Sequence, residues 1–185
     1  MKFTNPFYTF VLKFLVLFLA FYYGTKFLSG LATPGGYYIP FIEKYVDYVS
    51  WLRHSLVYGA TYIAALFGYQ TEILPGFLLK VVNAKGVFVS YSCAGYGVMS
   101  FWAAFVIANT NPIIKKLLWL LGGLLMLWLI NTTRIGLFLV AINKGWPMPL
   151  GLDHHTWFNI FAYLAIFIMM YFFDGNSKHT NQSEV

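Results

Sequence analysis

Apolar positions in this chain run in long stretches rather than alternating, and polar residues gather at a few breakpoints. Phe7 to Phe27 is apolar, interrupted by Lys13 and, at its very end, by Lys26. Gly95 to Ile114 and Trp157 to Phe173 carry no charge, and Leu117 to Ile142 carries one, Arg134. A helix needs about 20 mostly apolar residues to cross about 30 Å of hydrocarbon. The four stretches therefore predict four transmembrane helices. Gly30-Leu31-Ala32 after the first stretch resembles a signal-peptide cleavage site, but Lys13 breaks the apolar run such a peptide needs.

The segment between the first two stretches reads differently. It opens with the turn Thr33-Pro34-Gly35-Gly36. Tyr37 to Phe67 is apolar but punctuated by Glu43, Lys44, Asp47, Arg53 and His54. Those charges divide it and predict an interfacial amphipathic helix in its first half. Its second half, Ser55 to Tyr69, is apolar and short; lying in the interface, re-entering and crossing all fit its length. Gly76 to Val82 and Val87 to Tyr91 are rich in strand-forming residues and flank Asn83-Ala84-Lys85-Gly86, which predicts a β-hairpin. An open hairpin edge cannot sit in lipid, because its backbone groups would lack partners.

The expected fold is an all-α integral membrane bundle of four transmembrane helices, or five or six if intervening segments also cross. It carries an interfacial amphipathic helix and a small extracytoplasmic β-hairpin. The divisions are an N-terminal helix (1–28), an extracytoplasmic or interfacial region (29–92), a transmembrane core (93–173) and a polar cytoplasmic tail (174–185), expected to be irregular.

Composition supports this picture. The chain of 185 residues is 59% hydrophobic and 10% charged, against about 25% charged in soluble domains. Its net charge of +6 is scattered among aromatic runs, which argues against a nucleic-acid partner. Lys115 and Lys116 belong in the cytoplasm by the positive-inside rule. The hairpin, Cys93 and the loop Asn143 to His155 then face outward. Lys44, Arg53, Lys80 and Lys85 on the same outer side weaken a simple count of charges.

That topology gathers the chemistry at one level. Cys93, the single cysteine, starts the second stretch; Arg134 lies in the outer half of the third; Asp153, His154 and His155 precede the fourth. One cysteine excludes an internal disulfide and a Cys-based metal site. A lone cysteine is most often a small buried hydrophobe. An arginine within a span is costly and normally faces a partner in the bundle; the bland alternative is snorkelling to the headgroups. Asn131, three residues earlier, shares its face. A helix N-terminus and a nearby guanidinium both favour a thiolate. A histidine can take the thiol proton and return it to a leaving amine. Gly95 and Gly97 either let a substrate approach the backbone or pack helices. Asp153 reads as a helix cap, and adjacent histidines point apart, so no metal and no cofactor are expected.

With Ser92-Cys93-Ala94-Gly95, Asn131-Thr132-Thr133-Arg134 and His155-Thr156-Trp157-Phe158-Asn159 in this order, the sequence resembles the exosortase/archaeosortase family. Leu66-Phe67-Gly68-Tyr69 and Leu74-Pro75-Gly76 extend the similarity, which covers roughly Ala64 to Phe173. Asn159 stands where the family often has glycine, and the chain is shorter than typical members. The resemblance implies a membrane-embedded cysteine protease or transpeptidase of the bacterial cytoplasmic membrane, its site on the extracytoplasmic side. Its partner would be a protein with a C-terminal sorting signal: a short motif, a transmembrane helix and a basic tail. The freed acyl group would pass to water or to an acceptor nucleophile of unknown identity. The resemblance makes Cys93 the nucleophile, His155 the base and acid, and Arg134 the stabiliser of thiolate or oxyanion, with His154, Asn131 and Asp153 as alternative or supporting groups. A non-enzymatic membrane assembly or export factor linked to polysaccharide or surface-protein secretion is the competing reading. A small transporter using Arg134 as an anion site is a third, but the paired broken helices or inverted repeats common in transporters are missing.

Overall fold

The computed structural model describes residues 5–35, 37–146 and 154–180, with His154, His155, Phe158 and 174–180 described by backbone alone. The chain is mostly helical with one small sheet. Three helical stretches are long and apolar enough to cross a membrane: Pro6–Ala32, Tyr91–Ala108 and Ile113–Lys144. The fourth apolar stretch, Asn159–Phe173, is shorter.

The first helix, α1 (Pro6–Ala32), begins where Asn5 accepts a hydrogen bond from the Phe7 amide and proline occupies the first turn. It has no amphipathic stripe of charges. What it has is an aromatic residue every fourth position, which places Phe10, Phe14, Phe18 and Tyr22 on one face. That face meets α4 (Tyr96–Ala108) edge to face. Phe10 lies 5.9 Å from Phe105, and Phe14 lies 5.1 Å from Phe101. Tyr22 stacks on Tyr96 at 5.7 Å. Gly97 faces Tyr22 at 3.4 Å from where a Cβ would stand, so its smallness serves this helix contact.

Residues 37–67 fold into two helices, α2 (Pro40–Tyr45) and α3 (Tyr48–Leu66). The break falls at Asp47, whose carboxylate accepts from the Ser50 amide at 3.1 Å and caps α3, satisfying one of the orphan donors of its first turn. The charges therefore do divide the segment. The helix they divide off is a core element, however. α3 buries Val49, Arg53, Leu56, Val57, Ala60 and Ala64, a stripe at helical spacing, largely against α5 (Ile113–Lys144). Arg53 is on that inner face, 3% exposed, and does not mark a solvent-facing side. Gly59 and Gly136 let the two helices approach: a Cβ on Gly136 would stand 2.5 Å from the Ile63 Cβ. Trp128 Nε1 donates to Ser55 Oγ at 2.9 Å across the same seam.

The predicted hairpin forms as β2 (Leu78–Val81) and β3 (Gly86–Phe88), with Leu79 opposite Val87. Asn83 takes the left-handed backbone (φ 57°) that its turn requires. A strand that sequence reading missed, β1 (Thr71–Leu74), pairs with β2 on its other side. The sheet order is β1-β2-β3, so β3 is an edge. Asn143, near the end of α5, clamps the hairpin turn by exchanging hydrogen bonds with the Lys85 amide and carbonyl.

α4 ends at Ala108, six residues before the expected end of the second stretch at Ile114. The turn Asn109 to Pro112 intervenes, and α5 starts at Ile113. Proline is favoured at such a boundary and disfavoured inside a helix. Lys116 Nζ then reaches back to the Ile107 carbonyl at 3.1 Å, a cation on an orphan carbonyl at the end of α4. The last helix, α6 (His154–Thr180), continues past Phe173 into the segment expected to be an irregular tail.

Candidate active site

Cys93 lies in a single 3-10 turn, Tyr91–Ala94, between β3 and α4. Gly95 closes that turn with φ 71° and is itself the N-cap of α4, a left-handed position that suits glycine. The thiol therefore precedes the α4 cap by two residues. The expected placement at the helix terminus itself is corrected to the turn that leads into it.

Two side chains from α5 hold this turn. Asn131 Nδ2 donates to the Cys93 carbonyl at 2.8 Å, and an Arg134 guanidinium nitrogen donates to the same oxygen at 3.2 Å. They stand three residues apart, so one helix face carries both. Asn131 is fully buried. Its Oδ1 and the Thr132 hydroxyl have no hydrogen-bond partner among the described residues, an unusual state for buried polar atoms. Arg134 and Cys93 also line the same pocket. Ser90 Oγ donates to Cys93 Sγ at 3.3 Å and pairs with Ser92 Oγ at 2.7 Å.

Arg53 is a second guanidinium at this site, and sequence reading missed its role. Its Nε and one terminal nitrogen both donate to the Val89 carbonyl, at 3.0 and 2.7 Å. Its planar group sits over the Phe77 ring at 3.6 Å and the Tyr91 ring at 4.3 Å. Val89 is held from the other side by its amide, which donates to Phe77 at 3.0 Å. Arg53 thus fixes the strand end from which the Cys93 turn departs, and it interacts electrostatically with the thiol. The signal available in the sequence was its spacing: Val49, Arg53, Leu56 and Ala60 fall on one helical face.

A pocket of about 250 Å³ lies beside the thiol. One wall is the chain from Gly86 to Ser90 together with Cys93; the other is Arg134, Ile135 and Phe138 of α5. It joins the Cys93 sulfur, the Arg134 cation and the edge strand of the sheet.

Asp153 lies outside the described residues. The backbone of His154 and His155 opens α6. At the other end of the helix Phe173 packs on Trp119 at 5.6 Å and lies 5.4 Å from Lys115 Nζ. α5 and α6 pack against each other. The side chains of His154 and His155 lie outside the described residues. Among the described residues, no group of three or more His, Cys, Asp and Glu side chains is arranged to hold a metal ion.

Fold and site together define a class: a mostly helical chain with membrane-length helices and a cysteine–arginine pocket beside a small sheet. No family model, no curated protein and no solved structure matches it.

Proposed function

We propose that the chain is a membrane-embedded cysteine protease or transpeptidase that cleaves exported proteins near a C-terminal sorting signal at the outer face of a bacterial cytoplasmic membrane. The observation that carries the reading is the joint hold of Asn131 and Arg134 on the Cys93 carbonyl, with the thiol and the guanidinium lining one pocket. The order of the three motifs, which resembles the exosortase pattern, supports it.

In this reading Cys93 Sγ attacks the scissile carbonyl carbon. A C–S bond forms, and the thiol proton passes to His155, or to His154 in its place. The same proton goes on to the departing amine as the C–N bond breaks. The thioester is then opened by water or by an acceptor amine, which returns the thiol. Arg134 supplies a fixed positive charge for the thiolate and for the oxygen that becomes negative in the tetrahedral intermediate. Asn131 positions the nucleophile turn.

The test is co-expression with a protein bearing a motif, a transmembrane helix and a basic tail. Cys93→Ala and Arg134→Ala are expected to abolish processing while the chain still accumulates. Normal processing by both variants refutes the enzymatic reading and leaves a non-enzymatic assembly or export factor.

A further inference from the structure

β3 lines the pocket, and its hydrogen-bonding pattern says which of its backbone groups have no strand partner among the described residues. Val89 N donates to the Phe77 carbonyl, and Val81 N donates to the Lys85 carbonyl. These are alternate positions of the β2–β3 register, in which Leu79 faces Val87 and Leu78 faces Phe88. In an antiparallel pair the bonded positions alternate with non-bonded ones. Positions 85, 87 and 89 therefore turn their backbone groups toward β2, and Gly86 and Phe88 turn theirs away. Because β3 is the edge of the sheet, those groups point away from β2, and Gly86 and Phe88 both line the pocket that holds the thiol. Gly86 and Phe88 are both exposed.

We propose that an extended peptide docks here as a fourth strand, pairing with Gly86 and Phe88 and lying across Cys93. The occupant is a polypeptide in β conformation, recognised first by its backbone. An added strand takes its affinity from main-chain bonds and its selectivity from pockets for alternate side chains. The pocket between β3 and Phe138 has the volume for about one large side chain, judged against the few hundred Å³ of small-molecule sites. Open edges are templates for pairing, and proteins usually blunt them with charge, proline or a cover. Gly86, Val87 and Phe88 offer none of the first two. The inference rests on the enzymatic reading and specifies how its substrate is held.

The experiment uses the full chain in detergent and three thiol reagents: a biotinylated Val-Ala-Phe chloromethyl ketone, the same reagent N-methylated at its central amide, and iodoacetamide. On the native chain the parent reagent is expected to modify Cys93 about tenfold faster than its N-methylated counterpart, the factor one net backbone hydrogen bond supplies. Phe88→Pro removes the outward N–H and keeps both neighbouring bonds to β2; it is expected to slow the parent reagent at least about fivefold and to leave iodoacetamide within about twofold. Phe88→Ala keeps the N–H and is expected to keep the preference for the parent reagent. Equal rates for the parent and N-methylated reagents on the native chain overturn the proposal, and that comparison stands even if Phe88→Pro does not fold. So does a Phe88→Pro chain labelled at the native rate. Processing that needs Cys93 while the reagents show no backbone preference sinks the docking strand alone; processing by Cys93→Ala sinks the enzymatic reading.

Discussion

Two cores share this small bundle, and they are built on different chemistry. The α1–α4–α6 seam is aromatic: Phe10, Phe14, Phe18, Phe101, Trp102, Phe105 and Phe173 meet edge to face or stacked. The α3–α5–sheet core is aliphatic but studded with buried polar groups, Asp47, Arg53, Asn131 and Thr132 among them. Ring packing tolerates shifts of a fraction of an ångström, because no single contact is directional enough to matter. Buried polar groups are costly unless each has its partner, so they fix geometry at the places where they occur. Thr25 and Ser100 are buried in α1 and α4, but Arg53 and Asn131 are the ones that hold the Cys93 turn and the strand end before it. The contrast teaches where to look for chemistry in a protein with few charges: at the few places where it keeps polar atoms inside.

The comparison breaks if disturbing the aromatic seam does as much harm as disturbing the polar core. The largest effect is expected from Arg53→Met, which leaves the Val89 carbonyl without its two donors and the Phe77 and Tyr91 rings without their cation. A loss of about 3 kcal/mol is expected in denaturant or detergent unfolding. Cys93 alkylation should change with it, because the turn is anchored there. Next comes Gly136→Ala, whose new methyl would stand 2.5 Å from Ile63 Cβ and 3.2 Å from the Ala60 carbonyl oxygen. Backbone lies behind that contact, so α3 must move off α5. A cost of about 2 kcal/mol is expected, read as a lower unfolding midpoint.

The smallest effect is expected in the seam. Phe14→Leu keeps most of the volume and removes one edge-to-face pair across the seam, with Phe101, and two looser stacked pairs along α1, with Phe10 and Phe18, at about 1 kcal/mol, with no change in the rate at which Cys93 reacts with a small thiol reagent. A larger loss from Phe14→Leu than from Arg53→Met would reverse the assignment of roles.

How much of this was readable in the residues differs by element. The long apolar runs gave the helices, because period and length suffice there. The hairpin was readable from two β-branched runs around Asn83. β1 was not, since Thr71 to Leu74 is too short to show a period and its pairing with β2 is a tertiary fact. Arg134 and Asn131 stood out because a charge and an amide three residues apart in an apolar run have few explanations. Arg53 was obscured by Glu43, Lys44, Asp47 and His54, which made it look like one more surface charge. Its true setting depends on Phe77, Val89 and Tyr91, more than twenty residues away. The end of α4 at Ala108 was hidden for a similar reason: Asn109 to Pro112 are uncharged, so hydropathy ran on where the backbone turns.

The account turns on covalent participation of the thiol. Intact-mass spectrometry of the full chain, quenched within one turnover after mixing with a sorting-signal protein, reads this directly. The account predicts a transient mass increase equal to the substrate fragment upstream of the cut, located on Cys93 and removed by hydroxylamine as a thioester would be. Cleavage of that protein with no adduct on Cys93 at any quench time, and undiminished in Cys93→Ala, would contradict it.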